Sequence, residues 1–387
     1  MRAWTRDRYG SPDVLRLETL PDPVPTADDV VVRVRFASVN RADIDYLTGT
    51  PAISRLAVGA RGPRSRRTGL DAAGEVVAVG SNVTGLRVGD RVMADLTNHG
   101  SGAFAELAKA PEKAWHKVPA EVSLQDAATL PESALLAIQG LRSMGGAKPG
   151  QRVLINGASG CVGPFAVQLA KAAGAEVTGV ARTAKLDMVR ALGVDHVIDH
   201  TQEDVTRLGR CYDLILDTAG TRSVFAWRKV LRSGGRYATF GSPSTLRILQ
   251  TLVMGPAISL GHSRKVGLML AWRPNDPTDS QAALRLVADG TLRPVIDRTY
   301  PLEEVPDALR RMIDGDAQGK LVIAIGERSP DRPVGHAAAI KLVGLDVTAR
   351  SEQLQQLVIC SWRCTETLER PLRNRCAPAR EGAPSWR

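Results

Sequence analysis

No cysteine occurs in the first 160 residues; the chain of 387 holds only five, beginning at Cys161. That usage excludes a disulfide scaffold and fits a reducing compartment. The opening Met1-Arg-Ala-Trp-Thr-Arg-Asp7 runs directly into strand-like sequence without the apolar core of a signal peptide. No apolar run approaches the ~20 residues needed to span a bilayer. A soluble, cytoplasmic protein without a membrane partner is therefore expected. The net charge of +10 invites a nucleic-acid reading. However, the arginines are scattered, and their one dense run, Arg61-Gly-Pro-Arg-Ser-Arg-Arg67, lies in a Pro/Gly loop. It reads as a solvated basic surface, with at most an attraction for phosphorylated cofactors. The length implies two domains plus an extension.

One short motif carries the most information. Gln151-Arg-Val-Leu-Ile-Asn156 has the character of a buried parallel strand, and Pro164 to Gly174 spaces its apolar residues as a helix. Between them stands Gly157-Ala158-Ser159-Gly160-Cys161-Val162-Gly163. A glycine-rich turn between strand and helix lets backbone approach a pyrophosphate closely and offers free N–H groups to it. Cys161 is either a redox-sensitive thiol at a helix start or a small packed side chain.

The rest of the chain organises around that motif. Residues 1–124 are β-rich, with Val30–Ala37 and Gly74–Gly80 alternating like sheet strands. Residues 125–273 alternate strands and helices as a parallel α/β sheet does. Its further strands are Glu176–Ala181, His196–Ile198, Tyr212–Asp217 and Arg236–Gly241, with Lys265–Leu270 closing the sheet. Residues 274–327 return to helix and strand, ending in Gly319-Lys320-Leu-Val-Ile-Ala-Ile325. Thr50–Arg67 and Thr245–Arg264 read as loop or weakly patterned. The tail, 328–387, is rich in Arg, Pro and Ser and holds Cys360, Cys364 and Cys376. No histidine follows His336 to complete a metal site, so the tail is expected to be disordered.

In this order, Tyr9-Gly-Ser-Pro-Asp-Val-Leu15, Asn40-Arg-Ala-Asp43, Gly69-Leu-Asp-Ala-Ala-Gly-Glu-Val76, Val88-Gly-Asp-Arg-Val92, the Gly157 turn, Leu231-Arg-Ser-Gly-Gly-Arg236 and Gly319-Lys-Leu-Val322 resemble the zinc-independent quinone oxidoreductase branch of the medium-chain dehydrogenase/reductase superfamily. The resemblance spans Met1 to about Ile325. It implies an α/β protein in which a GroES-like substrate domain is built from both ends of that span. A Rossmann domain with a doubly wound parallel sheet is inserted, and the active site lies between the two. A homodimer is compatible with this but not fixed by it.

Zinc-dependent cousins place metal ligands near Asn40, Leu70 and Ser133, where this chain offers an amide, an alkyl chain and a hydroxyl. Such groups cannot replace thiolate and imidazole, so no metal is expected. Without that Lewis acid an unactivated ketone is a poor acceptor, whereas a quinone or α,β-unsaturated carbonyl is already electrophilic. The non-enzyme alternative is a nucleotide-binding, redox-responsive partner.

Cofactor choice rests on the end of the second Rossmann strand, where NAD enzymes carry an acid for the ribose 2′-hydroxyl. Here Ala181-Arg182-Thr183-Ala184-Lys185 follows, with no carboxylate until Asp187. Arg182 and Lys185 suit a 2′-phosphate, with Thr183 as a hydroxyl donor, so NADPH is expected; the alternative is that both cations face solvent. Ser133 stands near the expected nicotinamide carboxamide site, Gly241 and Ser242 end a strand on the cofactor side, and Lys320 is expected near a phosphate. Asn40, Asp43 and Tyr46 form the candidate catalytic cluster. Asn40 would orient nicotinamide or substrate, and Tyr46 would donate a proton. Alternatively, Asn40 and Asp43 order a turn and Tyr46 is a core aromatic.

Overall fold

The computed structural model describes residues 1–260, 263–268 and 272–326. The expected disorder of 328–387 therefore concerns residues outside the described ones. Strands β1 (Arg2–Thr5) and β2 (Arg16–Thr19) form an antiparallel ribbon. There follow β3 (Asp29–Val39), β4 (Asp71–Val79), β5 (Arg91–Asp95), β6 (Leu107–Pro111) and β7 (His116–Lys117). The middle of the chain supplies β8 (Arg152–Asn156), β9 (Glu176–Ala181), β10 (His196–Asp199), β11 (Tyr212–Asp217), β12 (Leu231–Thr239) and β13 (Lys265–Leu268). Last come β14 (Ile296–Pro301) and β15 (Lys320–Ala324).

Two sheets result. One has the order β14-β15-β3-β4-β5-β7, with β6 also on β3. Its two C-terminal strands thus complete a sheet begun by the N-terminal segment. The register Leu321↔Val39 sets Lys320 beside Asn40, which are 280 residues apart. The second sheet is parallel, in the order β10-β9-β8-β11-β12-β13. In chain terms that is 3-2-1-4-5-6, the doubly wound order whose direction reverses between β8 and β11. Ligands bind outside the carboxyl ends of the strands at such a reversal.

Each sheet buries its own core. Val30, Val32, Val34 and Val39 of β3 are buried with Leu321 and Ile323 of β15. In the parallel sheet Val153 and Ile155 face Phe165, Ala166 and Ala170, while Leu154 and Ile215 pack toward Trp227 on the other side. Each fully buried aliphatic or aromatic side chain contributes about 1.5–3 kcal/mol of transfer free energy. Arg142 and Asp279 clamp two helices, Ser133–Ser143 and Pro277–Ala288, through parallel contacts of 2.6 and 2.7 Å.

Two stretches depart from the sequence reading. Thr245–Ser259, within the weakly patterned segment, is a helix of 15 residues. Its small and polar Gly255 and Thr251 are buried, while Leu246 and Val253 are exposed, so an apolar stripe does not mark its inner face. The basic run is not simply solvated. Arg66 pairs with Asp7 at 2.6 Å, and Arg67 is partly buried and lines a small cavity that Tyr46 and Phe104 also line. Among the described residues no helix is long and apolar enough to cross a membrane.

Candidate active site

The glycine turn follows β8 at the reversal point. Gly157 has φ +82°, and a Cβ there would lie 2.5 Å from Thr218 Oγ1. At Gly163 a Cβ would fall 2.4 Å from the Gly157 carbonyl oxygen. Both positions thus need glycine, the first for the turn and the second for close packing of the next helix, Gly163–Ala172. Asp217 ends β11 with no exposed surface. It accepts from Asn156 Nδ2 (2.7 Å), the Gly220 N–H (2.9 Å), Trp227 Nε1 (2.8 Å) and Tyr237 OH (3.0 Å). One carboxylate therefore ties the ends of β8, β11 and β12 together under the groove.

That groove has a volume of about 470 Å³ and is lined by Gly157, Ser159, Arg182, Lys185, His200, Thr221 and Arg222, among others. The expected cofactor residues divide as follows. Gly157, Ser159, Arg182 and Lys185 line the groove. Ala158 is wholly buried behind the turn, and Val162 packs against the same core. In Gly160 a Cβ would meet nothing nearer than 3.4 Å. Cys161 turns its Sγ toward the Val39 carbonyl, 3.8 Å away, and joins the core of the other sheet. The Thr183 hydroxyl is bonded to Asp199. Ser242 donates to the Gly220 carbonyl at 2.6 Å, which places Gly241 and Ser242 beside the loop after β11.

Joined to the glycine turn where the Gly319 N–H donates to the Ser159 carbonyl lies a buried polar cluster drawn from four segments. Asn40, Asp71, Ser133 and Lys320 are all at most 1% exposed. Lys320 donates its Nζ to Asn40 Oδ1 and, at 3.1 Å, to Ser133 Oγ, and it forms an ion pair with Asp71 Oδ2 at 3.6 Å. Asn40 Nδ2 donates to Asp71 Oδ2 at 2.8 Å, and Ser133 donates to Asn40 Oδ1 at 3.2 Å. Lys320 and Ser133 therefore share one network with Asn40, whereas the sequence reading put Lys320 near a phosphate and Ser133 near the carboxamide. Asp43 accepts from the Asn40 backbone N–H at 2.8 Å, capping the Arg41–Thr48 helix; the turn-ordering role is real for this residue.

Electrostatics follow from burial. Asp43, Asp71, Asp95 and Glu132 crowd one ammonium, and desolvation pushes all four carboxyls above the ordinary range, Asp95 to about 7. Tyr46 is half-buried, and desolvation, with the charges of Glu132 and Asp95, raises its phenol to about 12. The phenol is a neutral proton donor throughout the physiological range. Asp71, Asp95, Glu132, Asp217, His200, Thr221 and Arg222 were not singled out from sequence. The acids of β4 and β5 had one visible signal, a carboxylate at one end of a mostly apolar strand.

The comparisons with known proteins agree with this layout. Residues 26–120 match the alcohol dehydrogenase GroES-like domain and 192–323 the family described as zinc-binding dehydrogenase. A chloroplast envelope quinone oxidoreductase homolog of Arabidopsis thaliana is 32% identical over 79% of this chain and 92% of its own. The chain belongs to the medium-chain dehydrogenase/reductase superfamily. It is an oxidoreductase of that superfamily, whose quinone oxidoreductases bind a nicotinamide cofactor. The mitochondrial NAD(P)H oxidoreductase RTN4IP1 of Homo sapiens is 33% identical over 84% of the chain and 89% of its own length. The quinone oxidoreductase structure from Coxiella burnetii superposes with a TM-score of 0.74, at 26% identity, over 84% of this chain and 99% of that one.

Some superfamily members hold a catalytic zinc, which the residues here do not fit. Asn40, Leu70 and Ser133 supply no thiolate or imidazole, and the Lys320 ammonium sits within bonding reach of two of them. Among the described residues no three His, Cys, Asp or Glu side chains are arranged to hold a metal ion.

Proposed function

We propose that the protein is a cytoplasmic, metal-free, NADPH-dependent reductase of quinones or α,β-unsaturated carbonyls. The observation that carries this reading is that a cationic groove and a lysine-centred polar cluster meet at the Gly319–Ser159 contact. On one side Arg182 and Lys185 line the groove at the end of β9, where an NAD enzyme would place an acid. On the other, a lysine-centred hydrogen-bond cluster occupies the positions of a zinc site. Bound, the reduced nicotinamide supplies the hydride. Asn40, held by Lys320, Ser133 and Asp71, supplies a fixed amide that orients the reactants, and Tyr46 holds the proton that completes reduction of a conjugated acceptor. In this reading residues 1–124 and 274–327 form the substrate domain and 125–273 the cofactor domain, and the fold's part is to hold donor and acceptor in line away from water.

The test is oxidation of NADPH and NADH against a panel of quinones, enones and simple alcohols or ketones. Turnover is expected with NADPH and the conjugated acceptors, and Tyr46→Phe should lower kcat about 10²-fold or more if the phenol is the general acid. Turnover confined to alcohols would favour a zinc-less alcohol dehydrogenase, and NADPH binding without turnover a non-catalytic binding protein.

A further inference from the structure

The two cations expected to read a 2′-phosphate are both engaged by one short segment from the far end of the chain. Arg182 Nη2 lies 2.5 Å from Asp316 Oδ1, and Lys185 donates Nζ to the Ala317 carbonyl. The same segment donates from the Gly319 N–H to the Ser159 carbonyl in the fingerprint turn, at 3.0 Å. Residues 314–319 thus connect the Val305–Ile313 helix to β15 and bring Gly315 to the lining of the groove. The ion pair is not sealed in: the Arg182 side chain is 35% exposed and that of Asp316 55%. A ligand entering the groove can reach it.

We propose that Asp316 is a specificity-determining residue for the ribose 2′-position, because its carboxylate competes with a 2′-phosphate for the Arg182 guanidinium. The inference rests on the reading that Arg182 faces that position. A 2′-hydroxyl leaves the Arg182–Asp316 pair intact. A 2′-phosphate has to displace the carboxylate or share the guanidinium with it, and the two anions repel at short range. Asp316 therefore narrows the preference for the phosphorylated dinucleotide that Arg182 creates. The pair is partly solvated, so the effect is modest and sensitive to salt.

Calorimetric titration of the full chain with adenosine 2′,5′-bisphosphate and with 5′-AMP tests this without relying on turnover. Asp316→Asn should bind the bisphosphate about three- to tenfold more tightly, with the gain shrinking at high salt, and should change 5′-AMP affinity less than about twofold. Unchanged bisphosphate affinity would overturn the competition. Weaker affinity would also overturn it, by showing that Asp316 holds Arg182 in place for the phosphate. Arg182→Ala separates this failure from failure of the underlying reading. If Arg182→Ala weakens only the bisphosphate while Asp316→Asn is silent, the competition alone is wrong. If wild type and Arg182→Ala treat both nucleotides alike, the assignment of the 2′-position is wrong and the inference falls with it.

Discussion

Asp71 and Asp95 stand directly opposite each other on neighbouring strands, β4 and β5, and neither has exposed surface. Two like charges at cross-strand distance in a buried sheet cannot both be ionised cheaply. Lys320 neutralises Asp71 from one side, so the burden falls on Asp95, whose carboxyl is pushed up to about 7 by burial and then by Asp71.

This arrangement predicts a stability profile. An unfolded aspartate titrates near 3.9, so between about pH 4 and 7 the native state holds a proton that the unfolded chain has lost. The associated stability is present below that range and is lost as pH rises through 7. Asp43, Asp71 and Glu132, also raised, act with the same sign. His99 and His116, lowered by burial, act with the opposite sign near their own range. The readout is therefore the difference between wild type and Asp95→Asn in denaturant titrations. The variant should gain on wild type between pH 5 and 8 by an amount on the order of 2–4 kcal/mol. Parallel pH profiles would show that Asp95 titrates normally.

Lys320 provides a second prediction. Removing one partner of a buried pair leaves the other charge uncompensated, at a cost of about 3–5 kcal/mol. Lys320→Met should lower unfolding stability by that order. Asp71→Asn added to it should recover part of the loss, because the orphaned charge is gone. Purely additive losses would mean that the two residues do not form a functional pair.

The sequence made the cofactor side legible and left the opposite wall mostly hidden. The Gly157 turn is a local device: strand, glycine positions and helix lie within about two dozen residues, and Gly157 and Gly163 have steric reasons that the residue order already implies. The polar cluster is not local. Asn40 and Tyr46 were visible as candidates, but the partners that hold Asn40 come from Asp71, Ser133 and Lys320. Only the β15–β3 register brings Lys320 across, and no pattern within Gly319-Lys-Leu-Val322 reveals it. Asp217 was hidden for a related reason. A strand ending in aspartate looks like a turn signal until four donors from separate elements converge on it.

Cys161 separates the two readings of the fingerprint thiol. Burial pushes its pKa up, and its Sγ faces the Val39 carbonyl, with the half-buried side chain packed on the core of the β3 sheet. The thiolate is the reactive species, so a raised pKa lowers the attacking fraction near neutrality. Alkylation at pH 8, mapped by mass spectrometry, should label Cys161 at least about tenfold more slowly in the native protein than after unfolding. Comparable rates would mean that the thiol is accessible and able to serve as a redox sensor.

Metal content is the last test, and it addresses the chemistry most directly. In this chain the carboxylates of the cluster already have a cation, since the Lys320 ammonium is bonded to Asn40 and Ser133 and paired with Asp71. A Zn²⁺ about 4 Å from that ammonium would meet a repulsion of about 8 kcal/mol at an effective dielectric of 20. The thiolate and imidazole ligands that offset such a cost elsewhere are absent at Asn40, Leu70 and Ser133. Elemental analysis of the purified protein should therefore find well under one zinc per chain, and prolonged chelation should leave NADPH oxidation unchanged. Lys320→Ala removes the competing charge but supplies no soft ligand, so it too should remain without tightly held zinc. A stoichiometric zinc that survives dialysis in wild type would mean that Lys320 leaves the cluster in solution, and the metal-free reading of the site would fall.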